Sequence, residues 1–367
     1  MKCALEGIVM NHPLVSVIVP VYNMELYLDE LFQSLVEQSM QDFRVIVIDD
    51  GSSDKSNLII KDWVSNDPRF MLITQANQGL SASRNNALDY LAKLPDVTPY
   101  ILFVDADDKL DRYALEHLYT KAKQGNLDIL VFSGAVFYTP DNLSVDFPHY
   151  QTYYNRNAEY NSVYSGLDYL VLAQEADDFR PSACMQFFSY EFLVNSNIRF
   201  LRGIVHEDNL FTLNCLLVAK RVAYLNEKLY LRRIREDSIM TRKTSWKNVD
   251  GYFRCGVESL NLVHGMEAIL SEKQADAIAM LIDAFFKNAF VIYKQISEND
   301  RLILLKEYSS SKAVIDQVLF TSILHQPTLE NAVVMQRITD DYESSTSYKL
   351  GRMITKPARY LLRHDKD

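Results

Sequence analysis

The chain has 367 residues, enough for two domains, and its 48% hydrophobic and 23% charged residues are ordinary globular composition, which excludes broad disorder. A net charge of −10 argues against a general nucleic-acid binder. Four scattered cysteines without a Cys-x-x-Cys pair fit a reducing compartment and no zinc site, and no apolar run approaches the ~18–20 residues that span a bilayer.

Val15–Val21 predicts a buried strand, and apolar Leu28, Leu31, Phe32 and Leu35 predict a helix within Leu26–Gln38. Arg44–Asp49 reads as a second strand, followed by a helix to about Ser65 that Ser52 or Ser53 would cap. Phe70–Thr74 is a short strand, Ser81 is expected to cap a helix reaching Lys93, and Tyr100–Val104 is the next strand. Strands alternating with helices imply parallel βαβ units, hence an α/β chain with a doubly wound, mostly parallel sheet. Leu127–Phe132 is strand-like, and Val136–Tyr164, rich in Tyr, Asn and Asp, reads as a long loop region. Helices are expected over Gly166–Ala173 and Glu207–Ala219. From Thr244 the pattern turns helical: Val249–Leu270, Glu272–Gln295 and weaker helices to about Thr339. The expected organisation is a first domain over residues 1–243, a helical domain over 244–345 and a basic tail over 346–367.

The run Tyr100-Ile-Leu-Phe-Val-Asp-Ala-Asp-Asp108 ends a buried strand in three carboxylates, Asp105, Asp107 and Asp108. Open α/β sheets keep their ligands at this carboxyl edge. Clustered carboxylates repel unless a cation or donor sits between them, and a hard divalent ion, Mg²⁺ or Mn²⁺, shared with substrate phosphates satisfies them. A surface turn is the other reading, since Asp is common in turns.

Three earlier loops follow strands in the same way. In Pro20-Val-Tyr-Asn23, Tyr22 can stack on a base. In Asp49-Asp-Gly-Ser-Ser-Asp54 a carboxylate can accept from a base N–H or ribose hydroxyls, and Gly51 permits a tight turn. In Asn77-Gln-Gly-Leu-Ser-Ala-Ser-Arg-Asn85 a glycine turn opens a helix with Arg84 in its first turn. Helix starts prefer acidic residues, so Arg84 points to an anionic neighbour, a diphosphate or an Asp.

These four blocks, in one order over about 95 residues, closely resemble the inverting family 2 glycosyltransferases with the GT-A fold. The resemblance is strong from Leu14 to about Ala114, thinner over Ile204–Thr241, and fades beyond. It implies a metal-dependent enzyme that moves a sugar from a nucleotide-sugar, UDP-linked in the family, to a hydroxyl of a glycan or lipid-linked glycan in surface-polysaccharide synthesis. On it, Pro20, Tyr22, Asp49, Asp50, Asn77, Gly79 and Arg84 become donor contacts. Asp105-Ala106-Asp107 becomes the D-x-D motif: Asp107 touches the Mg²⁺ or Mn²⁺, Asp105 the ribose or a metal-bound water, and Asp108 caps or orients. Val205-His206-Glu207-Asp208-Asn209-Leu210-Phe211 resembles the Glu-Asp-x-x-Phe segment, which makes Asp208 the general base and has Glu207 orient the acceptor or Asp208. Tyr230-Leu-Arg-Arg-Ile-Arg-Glu-Asp-Ser238 resembles a segment in which Arg233, Arg235 and Ser238 would hold the leaving diphosphate. Some relatives place a His metal ligand here; this chain has Arg, which leaves the third ligand open. His206 is not read as a ligand, because no second His lies at ligand spacing.

In the tail, Lys349, Arg352, Lys356, Arg359 and Arg363 recur at helical spacing, with Leu350, Met353, Ile354 and Leu361 on a neighbouring face. Such a helix can lie on an anionic membrane or dock on its own acidic protein. Without a basic-then-apolar N-terminus no secretory signal is expected, so the expected location is cytoplasmic, peripheral on the inner face of the cell membrane through the tail. A non-catalytic sugar-nucleotide-binding or scaffold subunit of a glycan-assembly complex is the alternative. A nucleotidyltransferase would carry a glycine-rich basic phosphate loop, which is missing near the first strand. Donor sugar, acceptor, linkage and oligomeric state, a homo-oligomer included, stay open.

Overall fold

The computed structural model describes residues 12–309, apart from 141–142, 237, 239–240, 264–265 and 267–268. The basic tail and the weaker helices expected beyond residue 309 lie outside the described residues. By contacts the chain divides into two units. The first runs to Gly203 and resumes over Cys215–Arg242; the second takes Ile204–Asn214 and the described residues from Lys243 onward.

The strands of the first unit are β1 (Val15–Val21), β2 (Phe43–Asp49), β3 (Phe70–Thr74), β4 (Tyr100–Phe103), β5 (Lys109–Leu110), β6 (Ile129–Thr139), β7 (Gln186–Ser189) and β8 (Val222–Arg235). Its helices are α1 (Leu28–Val36), α2 (Ser56–Asn66), α3 (Leu80–Leu91), α4 (Ala114–Gly125), α5 (Leu143–Asp146), α6 (Tyr150–Tyr153), α7 (Gly166–Glu175) and α8 (Tyr190–Ser196). Helix α9 (Glu207–Val218) starts in the second unit and ends in the first.

The sheet order is β3-β2-β1-β4-β7-β6-β8-β5. The β1–β2, β2–β3, β1–β4 and β6–β8 pairs are parallel, whereas β7 is antiparallel to both β4 and β6 and β5 is antiparallel to β8. Hence β1 to β4, β6 and β8 point one way and only β5 and β7 are reversed. Every residue of β1, β2 and β4 is buried, as expected of apolar strands covered on both faces. The chain therefore leaves β1, β2, β3, β4 and β8 at one edge, which brings the four motif loops and the arginine-rich end of β8 together. The mostly parallel α/β sheet expected from the sequence is the one observed.

Several local expectations change. Neither Ser52 nor Ser53 caps α2; the helix begins at Ser56, whose N–H donates to Asp54 (2.9 Å). Ser52 instead accepts from the Asn23 backbone N–H (3.0 Å) and Ser53 N–H donates to the Asn23 side chain (2.8 Å), which laces the first two loops together. Ser81 lies inside α3, and Gly79 takes the cap position at φ 88° and ψ 168°, a conformation open in practice only to glycine. The long loop expected from Val136 is shorter: β6 continues to Thr139 and two single-turn helices, α5 and α6, follow. The reversed β7, four residues long, gives too short a pattern to read in advance.

The second unit contains α10 (Trp246–Val263), α11 (Glu272–Gln295) and α12 (Glu298–Ser309). Val249, Phe253, Ala289, Ile296, Leu304 and Tyr308 form its apolar core. A capping box, Ser271 with Gln274, starts α11. Gly256 on α10 lets Phe286 of α11 pack close: a Cβ there would stand 2.6 Å from the ring.

Candidate active site

The acidic turn after β4 is the centre of the carboxyl edge. Its backbone closes through Asp108 N–H to Asp105 O (3.1 Å). Asp105 is gripped by Arg84, which is 1% exposed and donates from Nη2 to Oδ1 at 2.9 Å. Arg232 Nη1 stands 3.8 Å from the other oxygen of Asp105. Burial raises the Asp105 carboxyl, but the charges of Arg84 and Arg232 outweigh it and hold the group below its ordinary range. Of the two anions expected beside Arg84, the structure shows the aspartate.

Asp107 accepts from Arg235 Nε at 2.7 Å through Oδ2. Asp108 is buried and accepts twice, from the Tyr230 hydroxyl (2.6 Å) and from the Arg233 backbone N–H (2.7 Å). Burial pushes its carboxyl up to about 8, with Asp107 adding to the rise and the Tyr230 hydrogen bond opposing it. Asp108 orients the turn; it does not face outward. Arg233 is committed on all three side-chain nitrogens: Nε to Asp107 O (2.7 Å), Nη1 to Thr139 (2.7 Å) and Nη2 to Glu30. Its guanidinium lies between Tyr27 and Phe137, 5.0 and 4.5 Å from the ring centroids. Arg233, expected on a diphosphate, is thus built into the wall that holds the acidic turn. The Arg232 guanidinium, by contrast, reaches no acceptor at hydrogen-bond distance among the described residues, and it sits 5.4 Å from the Tyr154 ring centroid.

The other loops complete the edge. Tyr22 is 47% exposed, its ring open to a stacking partner, whereas Pro20 is buried inside β1. Asp49 accepts from Ser52 N–H (3.0 Å) and Asn57 Nδ2 (2.6 Å). Asp50 accepts from Gln75 Nε2 (2.7 Å) and from the backbone N–H groups of Gln78 and Gly79 (2.8 Å each). Its carboxylate therefore shapes the Asn77–Gly79 turn, in which Asn77 is exposed. A Cβ at Gly51 (φ 75°) would stand 3.0 Å from Asn77 N, so the second and third loops meet at backbone contact. Ala106 is buried, and Ser238 exchanges hydrogen bonds with Thr241 (3.1 Å).

The family model for glycosyl transferase family 2 matches residues 16–190, a span that holds this whole acidic edge except the end of β8. An uncharacterized glycosyltransferase of Haemophilus influenzae is 33% identical over 64% of this chain and 84% of its own length. The chain belongs to glycosyl transferase family 2. Bacterial glycosyltransferases are among its curated relatives, and the chain spans only 45% of the length of a pneumococcal one and 63% of one from Bacillus subtilis. Two solved structures share the GT-A fold. S. aureus TarS 1–349 in complex with UDP-GlcNAc superposes with a TM-score of 0.57 at 20% identity, covering 94% of this chain and 91% of the other. The mannosyltransferase PcManGT from Pyrobaculum calidifontis, in complex with GDP-Man and Mn²⁺, gives 0.53 at 13% identity over 97% and 89%.

Among the described residues of this family 2 chain, no group of three or more His, Cys, Asp or Glu side chains is arranged to hold a metal. A divalent ion nevertheless fits one position. Asp107 Oδ1 has no hydrogen-bond partner among the described residues, which leaves one hard oxygen for an ion that takes its other ligands from phosphate and water.

In the second unit, Glu207 and Asp208 form the first turn of α9; Glu207 is buried and Asp208 partly exposed. The preceding His206 has φ 67°, left-handed backbone that is uncommon outside glycine. Its ring stacks on Tyr252 (4.1 Å, 25°), Nε2 lies 3.2 Å from Asn248 Nδ2, and burial lowers its pKa to about 4. Tyr230, Arg232 and Glu30 were not singled out from sequence as site residues. Their place depends on β8 lying beside β5 and β6, a pairing with no local signal.

Proposed function

We propose that this family 2 chain is a glycosyltransferase that binds a nucleotide-sugar at the carboxyl edge of its sheet and transfers the sugar, with inversion, to a hydroxyl of a glycan or lipid-linked glycan in surface-polysaccharide synthesis. One observation carries the reading. Three carboxylates and four arginines (Arg84, Arg232, Arg233, Arg235) meet at the turn after β4, and Arg232 still has donors to offer. Such a cluster, in which the arginines outnumber the carboxyl groups, suits a diphosphate.

In this reading Tyr22 stacks on the base, and the turn held by Asp50 presents Asn77 and Gly79 to the nucleoside. Asp105 with Arg84 faces the ribose, and Arg232, Arg235 and Ser238 meet the diphosphate and the sugar. Mg²⁺ or Mn²⁺ on Asp107 would neutralise charge on the departing nucleotide. Asp208 takes the proton of the acceptor hydroxyl while its oxygen attacks the anomeric carbon, and Glu207 orients that carboxylate. UDP is the proposed nucleotide, supported by the resemblance of the four motif blocks.

A panel of UDP- and GDP-sugars, assayed for hydrolysis and transfer with and without Mn²⁺, tests this. Metal-stimulated release of one nucleotide, lost in Asp107→Ala, is expected. Binding without turnover across the panel and a set of lipid-linked acceptors would instead favour a donor-binding subunit.

A further inference from the structure

The donor reading leaves unexplained why a hydroxyl is buried beneath the acidic turn. Tyr230 is 0% exposed and lies within β8, paired with Gly134 of β6 on one side and Leu110 of β5 on the other. Gly134 is required there, because a Cβ would come 3.0 Å from the Tyr230 carbonyl oxygen and 2.7 Å from Met185. A phenylalanine would fill the same volume without a polar atom to satisfy. The hydroxyl is used both ways: it donates to Asp108 Oδ2 at 2.6 Å and accepts from the Asp105 backbone N–H at 3.1 Å. One oxygen therefore ties down the first and last residues of the turn whose side chains are Asp105 and Asp107. The second oxygen of Asp108 takes the Arg233 N–H, which fixes the same turn to β8 three residues further on.

We infer that Tyr230 is a positioning residue for donor binding: through Asp108 and the Asp105 amide it locks the acidic turn to β8, so that Asp105 and Asp107 are already aimed when the donor arrives. The role rests on the proposed donor site. A preorganised turn spares the donor the cost of ordering it, so the lock acts on donor affinity.

Tyr230→Phe tests it in two ways. In the ligand-free protein, amide hydrogen exchange at Asp105 is expected to speed up about tenfold, equivalent to ~1.4 kcal/mol, with little change in β1 and β2. In binding, affinity for UDP-GlcNAc or GDP-mannose with Mn²⁺, whichever the wild type takes, is expected to fall about tenfold. The acceptor KM should stay within twofold. In an Asp108→Asn background the same substitution should cost less than it does in the wild type, because one of the hydroxyl's two partners is already impaired. Unchanged exchange at Asp105 overturns the inference. So does full additivity with Asp108→Asn, or an equal loss of donor affinity, acceptor KM and thermal midpoint, which would mark general destabilisation. A wild type that binds neither nucleotide-sugar counts against the donor reading, while the exchange measurement still decides the lock.

Discussion

Arg235 Nε stands 2.7 Å from Asp107 Oδ2, so the carboxylate with one open oxygen is already half neutralised by the protein. A divalent ion meeting this pair alone gains little, because the arginine opposes its charge. Bound diphosphate reverses the balance by adding negative charge that both cations can share. Mn²⁺ by itself should therefore bind weakly, and nucleotide should tighten it at least about tenfold. Arg235→Gln should strengthen Mn²⁺ binding in the absence of nucleotide and weaken nucleotide binding. Asp107→Ala should remove the nucleotide-linked tightening. Calorimetric titration of Mn²⁺ with and without UDP measures all three; tight, nucleotide-independent binding to the wild type would contradict the idea.

Asp208 lies in the first turn of α9 and is partly exposed, which its proposed role as general base requires. Removing a general base costs ~10²–10⁴ in rate. Asp208→Asn, which keeps the shape and loses the basicity, should lower kcat by that factor and leave nucleotide affinity unchanged. Single-turnover transfer alongside donor titration checks both halves, and near-normal turnover would remove Asp208 from the mechanism.

Arg84 and Asp105 form the most buried ion pair of the site, with side chains 1% and 21% exposed. Arg84→Met fills the volume but strips Asp105 of its 2.9 Å guanidinium, leaving the Cys184 thiol and the 3.8 Å neighbour Arg232. Breaking one side of a buried pair costs ~3–5 kcal/mol. The variant should lose stability on that scale in denaturant unfolding, and the loss should shrink when Asp105→Asn is added, since the stranded charge is then gone.

The parts of the site that could be read in advance are those written in contiguous residues. Apolar runs ending in Asp49–Asp50 and Asp105–Asp108 announce both a strand and its functional tip, and a parallel sheet puts such tips at one edge. Arg84 reads as facing an anion on the expectation that it sits in a first helical turn; the anion, Asp105, is there, but α3 starts at Leu80 and Arg84 is its fifth residue, past that turn. What stayed hidden is long-range. In the sequence alone, a solvated strand edge is a second, weaker reading of Arg232, Arg233 and Arg235 beside the binding strip. Their place follows from partners far away in the sequence: the Asp107 carboxylate for Arg235, the Asp107 carbonyl and the Glu30 carboxylate for Arg233, and Asp105 for Arg232. The serine caps failed for a related reason: Ser52 and Ser53 are drawn to Asn23 in a different loop, and a local rule cannot see that competitor.

Among the described residues no helix is long and apolar enough to cross a membrane. Peripheral attachment would then fall to the basic stripe Lys349, Arg352, Lys356, Arg359 and Arg363. Each basic residue near an anionic surface contributes ~1 kcal/mol. The protein should float with phosphatidylserine vesicles at low salt and release as salt rises, and deletion of residues 346–367 should abolish flotation. Undiminished flotation after the deletion would rule the stripe out.

His206 sets a pH dependence whose sign can be worked out. In the folded chain burial lowers its pKa to about 4 from the ordinary 6.5, so it stays neutral. Its Nε2 accepts from Asn248 Nδ2, a bond that a protonated ring would lose. Between those two values the unfolded chain holds a proton that the folded chain does not. Stability is therefore fully present above about 6.5 and falls as pH drops toward about 4. One such proton contributes at most ~1.4 kcal/mol per pH unit, and the partly exposed ring edge keeps the slope below that. His206→Asn retains a residue that tolerates the left-handed backbone and removes the titrating group. Denaturant midpoints of wild type and variant at pH 7, 6, 5 and 4.5 should converge as the pH falls. Parallel curves would assign the acid sensitivity to carboxylates elsewhere.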